Sequence, residues 1–353
     1  MSTIKDIANK AGVSPTTVSN VIHGRLDKVS KETLERVRKV IEESNYVSNM
    51  GARLLANNGS KIIGVILTYG RRNERNAIQD PFYSEIIGAL EQEIRQAGYY
   101  MMLYTSADIE ESLRLAKAWN IEGMIVLGSN SEGCQRFMES TNIPIVFIDS
   151  YFYDDGIVYA NVGLQDREGA YHMTKYLIEQ GHQNIAFLAD ASPRELTGVD
   201  KERWEGYQQA KREYGLPTRQ SDYIHISYRF QERHQILDDF IKNRLKDYTA
   251  LFFASDFYAV DAISHFKDHN IDVPKDISVV GFDDNIHAVL SRPQLTTVHQ
   301  NVSLKAEYAV ELVMKLIKNE EITDYNIRIP TRLVIRNSSS VPRVDNKKRA
   351  LIN

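Results

Sequence analysis

The chain has 353 residues, 42% hydrophobic and 25% charged. That composition excludes a disordered chain, a collagen-like repeat and a disulfide miniprotein, and the length predicts two or three domains. Its single cysteine, Cys134, can form neither an internal disulfide nor a cysteine-rich zinc site. The net charge of −4 is uneven: residues 1–60 hold nine Lys and Arg against six Asp and Glu, a net of +3, and the remainder holds 34 against 41, a net of −7. A basic head on an acidic body suits a polyanion that meets only the head, although three charges in sixty residues also fit unpatterned composition. The start, Met1-Ser2-Thr3-Ile4-Lys5-Asp6, is no signal peptide, and no apolar run of about 18 residues could span a membrane. The expected compartment is the cytoplasm, with no membrane contact.

Three helices are predicted in the head. Thr3-Ile4-Lys5-Asp6 fits a capping box, and Ile4, Ile7, Ala8 and Ala11 form one apolar stripe that Gly12 ends. Ser14-Pro15 reads as N-cap and first residue of a second helix, with Val18, Val21 and Ile22 on its inner face and Gly24 as its stop. Ser30 starts a third, carrying Leu34, Val37 and Ile41. Residues 48–60 have linker composition, with Ala52-Arg53-Leu54-Leu55-Ala56 as a short helix too brief to stand alone.

From Lys61 apolar runs alternate with amphipathic segments. The runs are Ile62–Leu67, Tyr100–Tyr104, Met124–Leu127, Ile145–Ile148, Ile185–Leu188, Leu251–Ala254 and Val279–Phe282. Most are continuous, as parallel strands buried on both faces should be. A body of about 280 residues exceeds one comfortable core and predicts two lobes.

The head reads as a helix-turn-helix, whose second helix can enter the DNA major groove. Its outward positions are Thr16, Asn20 and His23, with Thr17 beside them. Asn pairs bidentately with adenine, and Thr contacts a base edge or a thymine methyl. Ser14, at the helix N-terminus, favours a phosphate. The competing reading is a helical docking module with a solvated polar face.

These residues resemble the LacI/GalR family of bacterial repressors. The likeness lies in Thr3–Ala8, Ala11-Gly12-Val13-Ser14-Pro15-Thr16-Thr17-Val18-Ser19, Val29-Ser30 and Arg36-Val37. It continues through Gly64-Val65-Ile66, Gly181–Ala186, Asp276–Asp284 and Pro293–Val298, covering residues 3 to about 336 in order. The resemblance implies a small all-α helix-turn-helix headpiece plus an α/β two-lobed periplasmic-binding-protein-like body with parallel sheets. The implied division is a headpiece at 1–47, a hinge helix and linker at 48–60, a body at 61–340 and a flexible basic tail at 341–353. Within the body, lobe one takes 61–161 and 291–322, and lobe two takes 162–290 and 323–340, with crossings near Asn161, Ser291 and Ile322.

By the same resemblance, palindromic operator DNA is the partner of a homodimer on the bacterial nucleoid. Thr3, Ser14, Pro15, Thr16, Thr17, Ser19, Asn20, His23, Ser30 and Tyr46 would meet it from the headpiece, and Asn49, Ala52 and Leu55 from the hinge. Leu55 matches a leucine that inserts between base steps in the minor groove; packing on the body is the other use for it. Asn20 stands where the family commonly has a guanine-reading Arg, which shifts the expected half-site toward adenine. Ser48 replaces the usual hinge proline, and Gly51 weakens the hinge helix by about 1 kcal/mol.

A small-molecule effector, a sugar or sugar derivative, is implied between the lobes, at the carboxyl ends of strands. Phe82, Asp149, Arg203, Ser255, Asp256 and Asp283 are its candidate contacts. Asp149 and Asp283 could instead cap neighbouring helices, and Trp204 suits packing better than stacking on a ligand. Arg71, Arg72 and Arg75 lie on a loop near the implied cleft mouth. They fit a phosphorylated effector or a solvated insertion, and a phosphorylated or non-sugar corepressor is the alternative effector class. The main rival function, an enzyme, lacks a Gly-x-Ser-x-Gly elbow, a Gly-rich phosphate loop and a His-Glu-x-x-His site. His265 and His269 are four apart, but no acidic third ligand is evident beside them, so no metal and no cofactor are expected.

Overall fold

A computed structural model defines residues 3–22, 26–44, 59–68, 77–152, 156, 158–194 and 196–343. The chain divides into two compact units, Met1–Ser60 and Lys61–Asn353.

The first unit holds α1 (Ile4–Ala11), α2 (Pro15–Ile22) and α3 (Lys31–Glu43). Each starts at a hydroxyl cap. Asp6 N–H donates to Thr3 Oγ1 at 3.3 Å while Thr3 N–H donates to Asp6 Oδ2 at 2.8 Å, the expected capping box. Thr17 N–H donates to Ser14 Oγ at 3.1 Å, and Thr33 N–H to Ser30 Oγ at 3.3 Å. Gly12 ends α1 in the left-handed region at φ 65°, where a side chain would be strained. Ile7, Ala8, Ala11, Val18, Val21 and Val37 close the core of this unit.

The second unit is an α/β body with two six-stranded sheets. Its elements run β1 (Ile62–Leu67), α4 (Pro81–Gln96), β2 (Tyr100–Thr105), α5 (Ile109–Ala118), β3 (Gly123–Leu127), α6 (Ser131–Ser140), β4 (Ile145–Ile148) and β5 (Ala160–Leu164). There follow α7 (Asp166–Glu179), β6 (Ile185–Ala189), α8 (Gly198–Glu213), β7 (Tyr223–His225), α9 (Phe230–Asn243), β8 (Ala250–Phe253), α10 (Asp256–Asp268) and β9 (Ser278–Asp283). The chain ends with α11 (Ile286–Leu290), β10 (Thr296–His299), α12 (Val302–Lys318), β11 (Asn326–Ile329) and β12 (Arg332–Val334). Among the described residues no helix is long and apolar enough to cross a membrane.

Sheet one has the order β11-β5-β4-β3-β1-β2 with every pair parallel. Sheet two has the order β12-β10-β9-β8-β6-β7, parallel except for β10 with β12. β1, β3, β6 and β8 are buried on both faces, which explains their unbroken apolar runs. Gly206 permits α7 and α8 to touch, since a Cβ there would lie 2.1 Å from the Arg167 carbonyl oxygen.

The pairing moves all three expected crossings downstream. β5 runs to Leu164 inside sheet one, β10 lies in sheet two, and β11 returns to sheet one before β12 joins sheet two. The crossings therefore fall near Gln165, Gln300 and Thr331 rather than Asn161, Ser291 and Ile322. The physical reason is that each lobe completes a strand with the chain that then leaves it. Ser338 Oγ, within the expected body, donates to the Val279 carbonyl at 2.6 Å, and Arg343, within the expected tail, pairs with Asp276 at 2.7 Å.

Candidate functional site

In the head unit, the apolar stripe of α2 turns Val18 and Val21 into the core and leaves Thr16 exposed, with Thr17, Ser19 and Asn20 half-buried. Thr16 and Asn20 share one face, four residues apart. The Thr17 hydroxyl lies 2.9 Å from that of Ser14. Thr3, Ser14 and Ser30 thus act first as helix caps, and Pro15 is the first residue of α2. His23, Tyr46, Asn49, Ala52 and Leu55 lie outside the described residues, as do Gly24 and the loop of Arg71, Arg72 and Arg75.

In the body, strand order reverses between β1 and β3 in sheet one and between β6 and β8 in sheet two. Such switch points open a crevice at the carboxyl ends of the strands. One cavity of about 290 Å³ is lined by residues from both sets of ends: Gly128 after β3, Asp149 after β4, Asp190 after β6, Ser255 after β8 and Asp283 at the end of β9. Phe82 and Asp80 enter from the start of α4, and Asp200 and Arg203 from α8. Five of the six effector candidates therefore converge: Phe82, Asp149, Arg203, Ser255 and Asp283.

Asp256 does not line the cavity, which corrects its assignment as an effector contact. Ser255 caps α10 facing the cavity, and the next residue turns into the body. There the Asp256 carboxylate accepts from the Thr297 hydroxyl at 2.6 Å and from the Asp284 and Asn285 N–H groups at 2.7 and 3.2 Å. Gly281 leaves room for it, since a Cβ there would lie 2.2 Å from Asp256 Oδ1.

The converging side chains are held from behind. Arg203 Nε donates to Asp166 Oδ1 at 2.8 Å, Nη1 donates to the Ala254 carbonyl at 2.5 Å, and the guanidinium lies 3.7 Å from the centre of the Phe282 ring. Asp149 takes both of its bonds from Lys305 Nζ, at 2.9 and 2.7 Å, and Lys305 is itself fully buried. Asp283 accepts from Ser255 Oγ at 3.0 Å and from Gln300 Nε2 at 2.7 Å. Asp149 and Asp283 both sit at positive φ, 56° and 131°. Their carboxylates face side chains, so the helix-capping alternative gives way; Asn130 caps α6 and Asn285 caps α11. Trp204 packs, stacked on Tyr207 at 4.8 Å.

This environment shifts the acids upward. Burial raises the Asp149 carboxyl above the usual range, with Lys305 opposing and Asp166 adding to the rise. Burial also pushes Asp283 well above that range, the Arg203 guanidinium pulling it back and the Asp256 and Asp80 carboxylates pushing it further.

Sequence reasoning missed Asp166, Lys305 and Gln300, the supports of these contacts. A charged residue in an amphipathic helix carries no local sign that it faces inward. It also missed a partner of the histidine pair: Asp238 of α9 lies 2.7 Å from His265 and 3.3 Å from His269, supplying the acidic neighbour that the spacing alone did not reveal.

Residues 3–49 match the family model described as bacterial regulatory proteins, lacI family, and residues 174–339 match that of a periplasmic binding protein-like domain. The transcriptional regulator MalR of Clostridium butyricum is 32% identical over 343 residues, covering 95% of this chain and 98% of MalR. The transcriptional repressor PurR of Actinobacillus pleuropneumoniae serotype 3 is 32% identical over 348 residues, covering 96% and 98%. Among solved structures, the lac repressor dimer bound to operator and the anti-inducer ONPF shares the fold at TM-score 0.79, with 24% identity over 96% of this chain and 99% of that one. The regulator CelR in complex with cellobiose does so at TM-score 0.70, with 24% identity over 96% and 100%.

Proposed function

The chain belongs to the lacI family of bacterial regulatory proteins, a family of DNA-binding transcription regulators rather than enzymes, and on that premise we propose that it represses a carbohydrate-utilisation operon. In this reading it acts in the bacterial cytoplasm as a homodimer on a palindromic operator, which two-fold symmetry matches to two half-sites. Thr16, Thr17 and Asn20 of α2 read bases, and the caps Thr3, Ser14 and Ser30, with Pro15 and Ser19, set the headpiece against phosphates. His23, Tyr46, Asn49, Ala52 and Leu55 extend the contact.

The effector is a neutral, polyhydroxylated, sugar-like molecule in the body's cavity. The observation that carries this class is the charge of the lining. Asp80, Asp149, Asp190, Asp200 and Asp283 face the cavity, with Arg203 as the one cation among the described lining residues. Carboxyl groups exchange strong hydrogen bonds with hydroxyl groups. Arg203 already faces Asp166, and three of its five N–H groups are engaged.

The test is operator affinity, read by fluorescence anisotropy on the DNA flanking the gene, with neutral sugars and with sugar phosphates. A neutral sugar should weaken binding by about 5–150-fold, the usual range of such coupling. Phe82→Ala should abolish that response and leave effector-free binding intact. A response to sugar phosphates alone, or an undiminished response in Phe82→Ala, would overturn the effector assignment.

A further inference from the structure

At the C-terminal end of α10, this helix and α9 bring three metal-ligating side chains together. The atoms that Asp238, His265 and His269 offer lie within 4.8 Å of one another. We propose that they form a binding site for a divalent transition-metal ion of the Zn²⁺ class.

The arrangement of the three ligand atoms carries the argument. Its Nδ1 lies 2.9 Å from the His265 carbonyl oxygen. A carbonyl only accepts, so Nδ1 donates there, and Nε2 is the nitrogen turned toward Asp238. That Nε2 faces Asp238 Oδ1 at 3.3 Å, and an ionised carboxylate oxygen also only accepts. His265 Nε2 lies 2.7 Å from the same oxygen. One carboxylate oxygen therefore meets two imidazole nitrogens, and a single metal ion can take the place of the protons in these contacts.

The dimensions fit. Tetrahedral zinc with bonds of roughly 2.0–2.1 Å places its ligand atoms about 3.3 Å apart. The His269–Asp238 separation already has that value, and the His265–Asp238 one must open by about 0.6 Å. The His265 ring is held in place, 9% exposed and 4.2 Å from the ring of His234. His234 stays outside the ligand set, because its Nε2 lies 3.1 Å from Asp261, which also accepts from Arg233 at 2.7 Å. Asp238 and His269 are 55% and 39% exposed, so an ion can arrive from solvent. Two imidazoles and one carboxylate select zinc, nickel or copper over magnesium or calcium, and water completes the coordination. Binding displaces protons from the nitrogen–carboxylate contacts.

The ion would clamp α9 to α10 beyond the contacts that Arg233 and His234 of α9 already make with Asp261 of α10. α10 starts at the cavity with its cap Ser255, and His265 lies nine residues beyond Asp256, about 14 Å along the helix. The site is thus separate from the effector cavity.

The test titrates the metal-free full chain with Co²⁺ as the spectroscopic probe, then with Zn²⁺ as competitor. One equivalent of Co²⁺ should develop visible ligand-field absorption that Zn²⁺ abolishes, and Zn²⁺ should raise the melting temperature. His269→Gln and Asp238→Asn alter exposed residues and should leave metal-free melting unchanged. Losing an outer partner of a metal ligand costs roughly 10–100-fold in affinity, so losing a ligand should cost at least about 100-fold. Absence of saturable Co²⁺ uptake by the wild type, or unchanged affinity in both variants, overturns the proposal.

Discussion

The head and the body handle polar side chains in opposite ways. Among the described residues of the head, the core is six small or medium apolar side chains, and the hydroxyls and carboxylates stand outside it, capping helices. In the body, Asp166, Arg203, Asp283 and Lys305 are buried, each bonded to another side chain. A surface that must meet an external polyanion keeps its hydrogen-bonding groups free to exchange water for DNA. A cavity that must hold one small molecule needs its groups fixed before the molecule arrives, which requires supports deeper in the fold. The contrast predicts that body polar substitutions act first on stability and head ones first on recognition.

The largest effect should come from Lys305→Met. Lys305 is fully buried, and its ammonium holds both oxygens of Asp149 and the Gln300 side chain. Breaking a buried pair by removing one member costs about 3–5 kcal/mol, because the other charge is left without compensation. Urea unfolding followed by the fluorescence of Trp119 and Trp204, both in the body, reads this directly. A loss below about 1 kcal/mol would mean that Asp149 is solvated like an exposed residue, and the contrast would fail at its strongest point.

Next comes Asn20→Arg in the head. Its side chain is half-buried on α2, on the face shared with Thr16, so the change should leave unfolding almost untouched. It should instead move base preference at one symmetric pair of operator positions by about 1–3 kcal/mol per base pair. Selection from a library of randomised half-sites would show it. An equal loss on every sequence would reassign Asn20 to the backbone of the head.

Smaller again is Ser30→Ala. The Ser30 hydroxyl accepts the Thr33 N–H at the start of α3. Removing such a cap costs about 1 kcal/mol. Because the head core is small, hydrogen exchange of the α3 amides should register that loss while the strands of the body do not change.

The same contrast explains what could be read from the residues alone. α1, α2 and α3 announce themselves by hydroxyl caps, a glycine stop and helical spacing, all local signals. β1, β3, β4, β6, β8 and β9 announce themselves as apolar runs. β5 (Ala-Asn-Val-Gly-Leu), β10 (Thr-Thr-Val-His) and β11 (Asn-Ile-Arg-Ile) mix polar residues into short strands, and their places depend on partners far along the chain. That is why the crossings between lobes were expected too early. The five cavity residues were legible through resemblance and strand ends. Asp256, a neighbour of one of them, was not, because the α10 start turns consecutive side chains to opposite sides. Asp166, Lys305 and Asp238 were illegible for one reason: a charged residue on a helix looks solvated until its partner on another element is known.

The smallest effect, and the one that most sharpens the comparison, is in pH. In the head, Asp6 is exposed, and the Thr3 backbone and side-chain hydrogen bonds hold its carboxyl below the usual range. A lowered native value adds stability above the unfolded value, near 3.9, that is lost as pH falls through the native one. In the body, Asp283 has the reverse shift, driven by burial. A raised native value adds stability that is complete below about 3.9 and is lost as pH rises through the native one. Asp6 and Asp283 should therefore contribute opposite pH slopes within one chain. Hydrogen exchange corrected for its intrinsic pH dependence resolves them: α1 should lose protection as pH drops below about 4, and β9 as pH rises above it. Asp6→Asn should flatten the first slope alone and Asp283→Asn the second alone. Slopes of the same sign in α1 and β9 would show that net charge governs both units, and that the placement of polar groups inside or outside the core does not set their response.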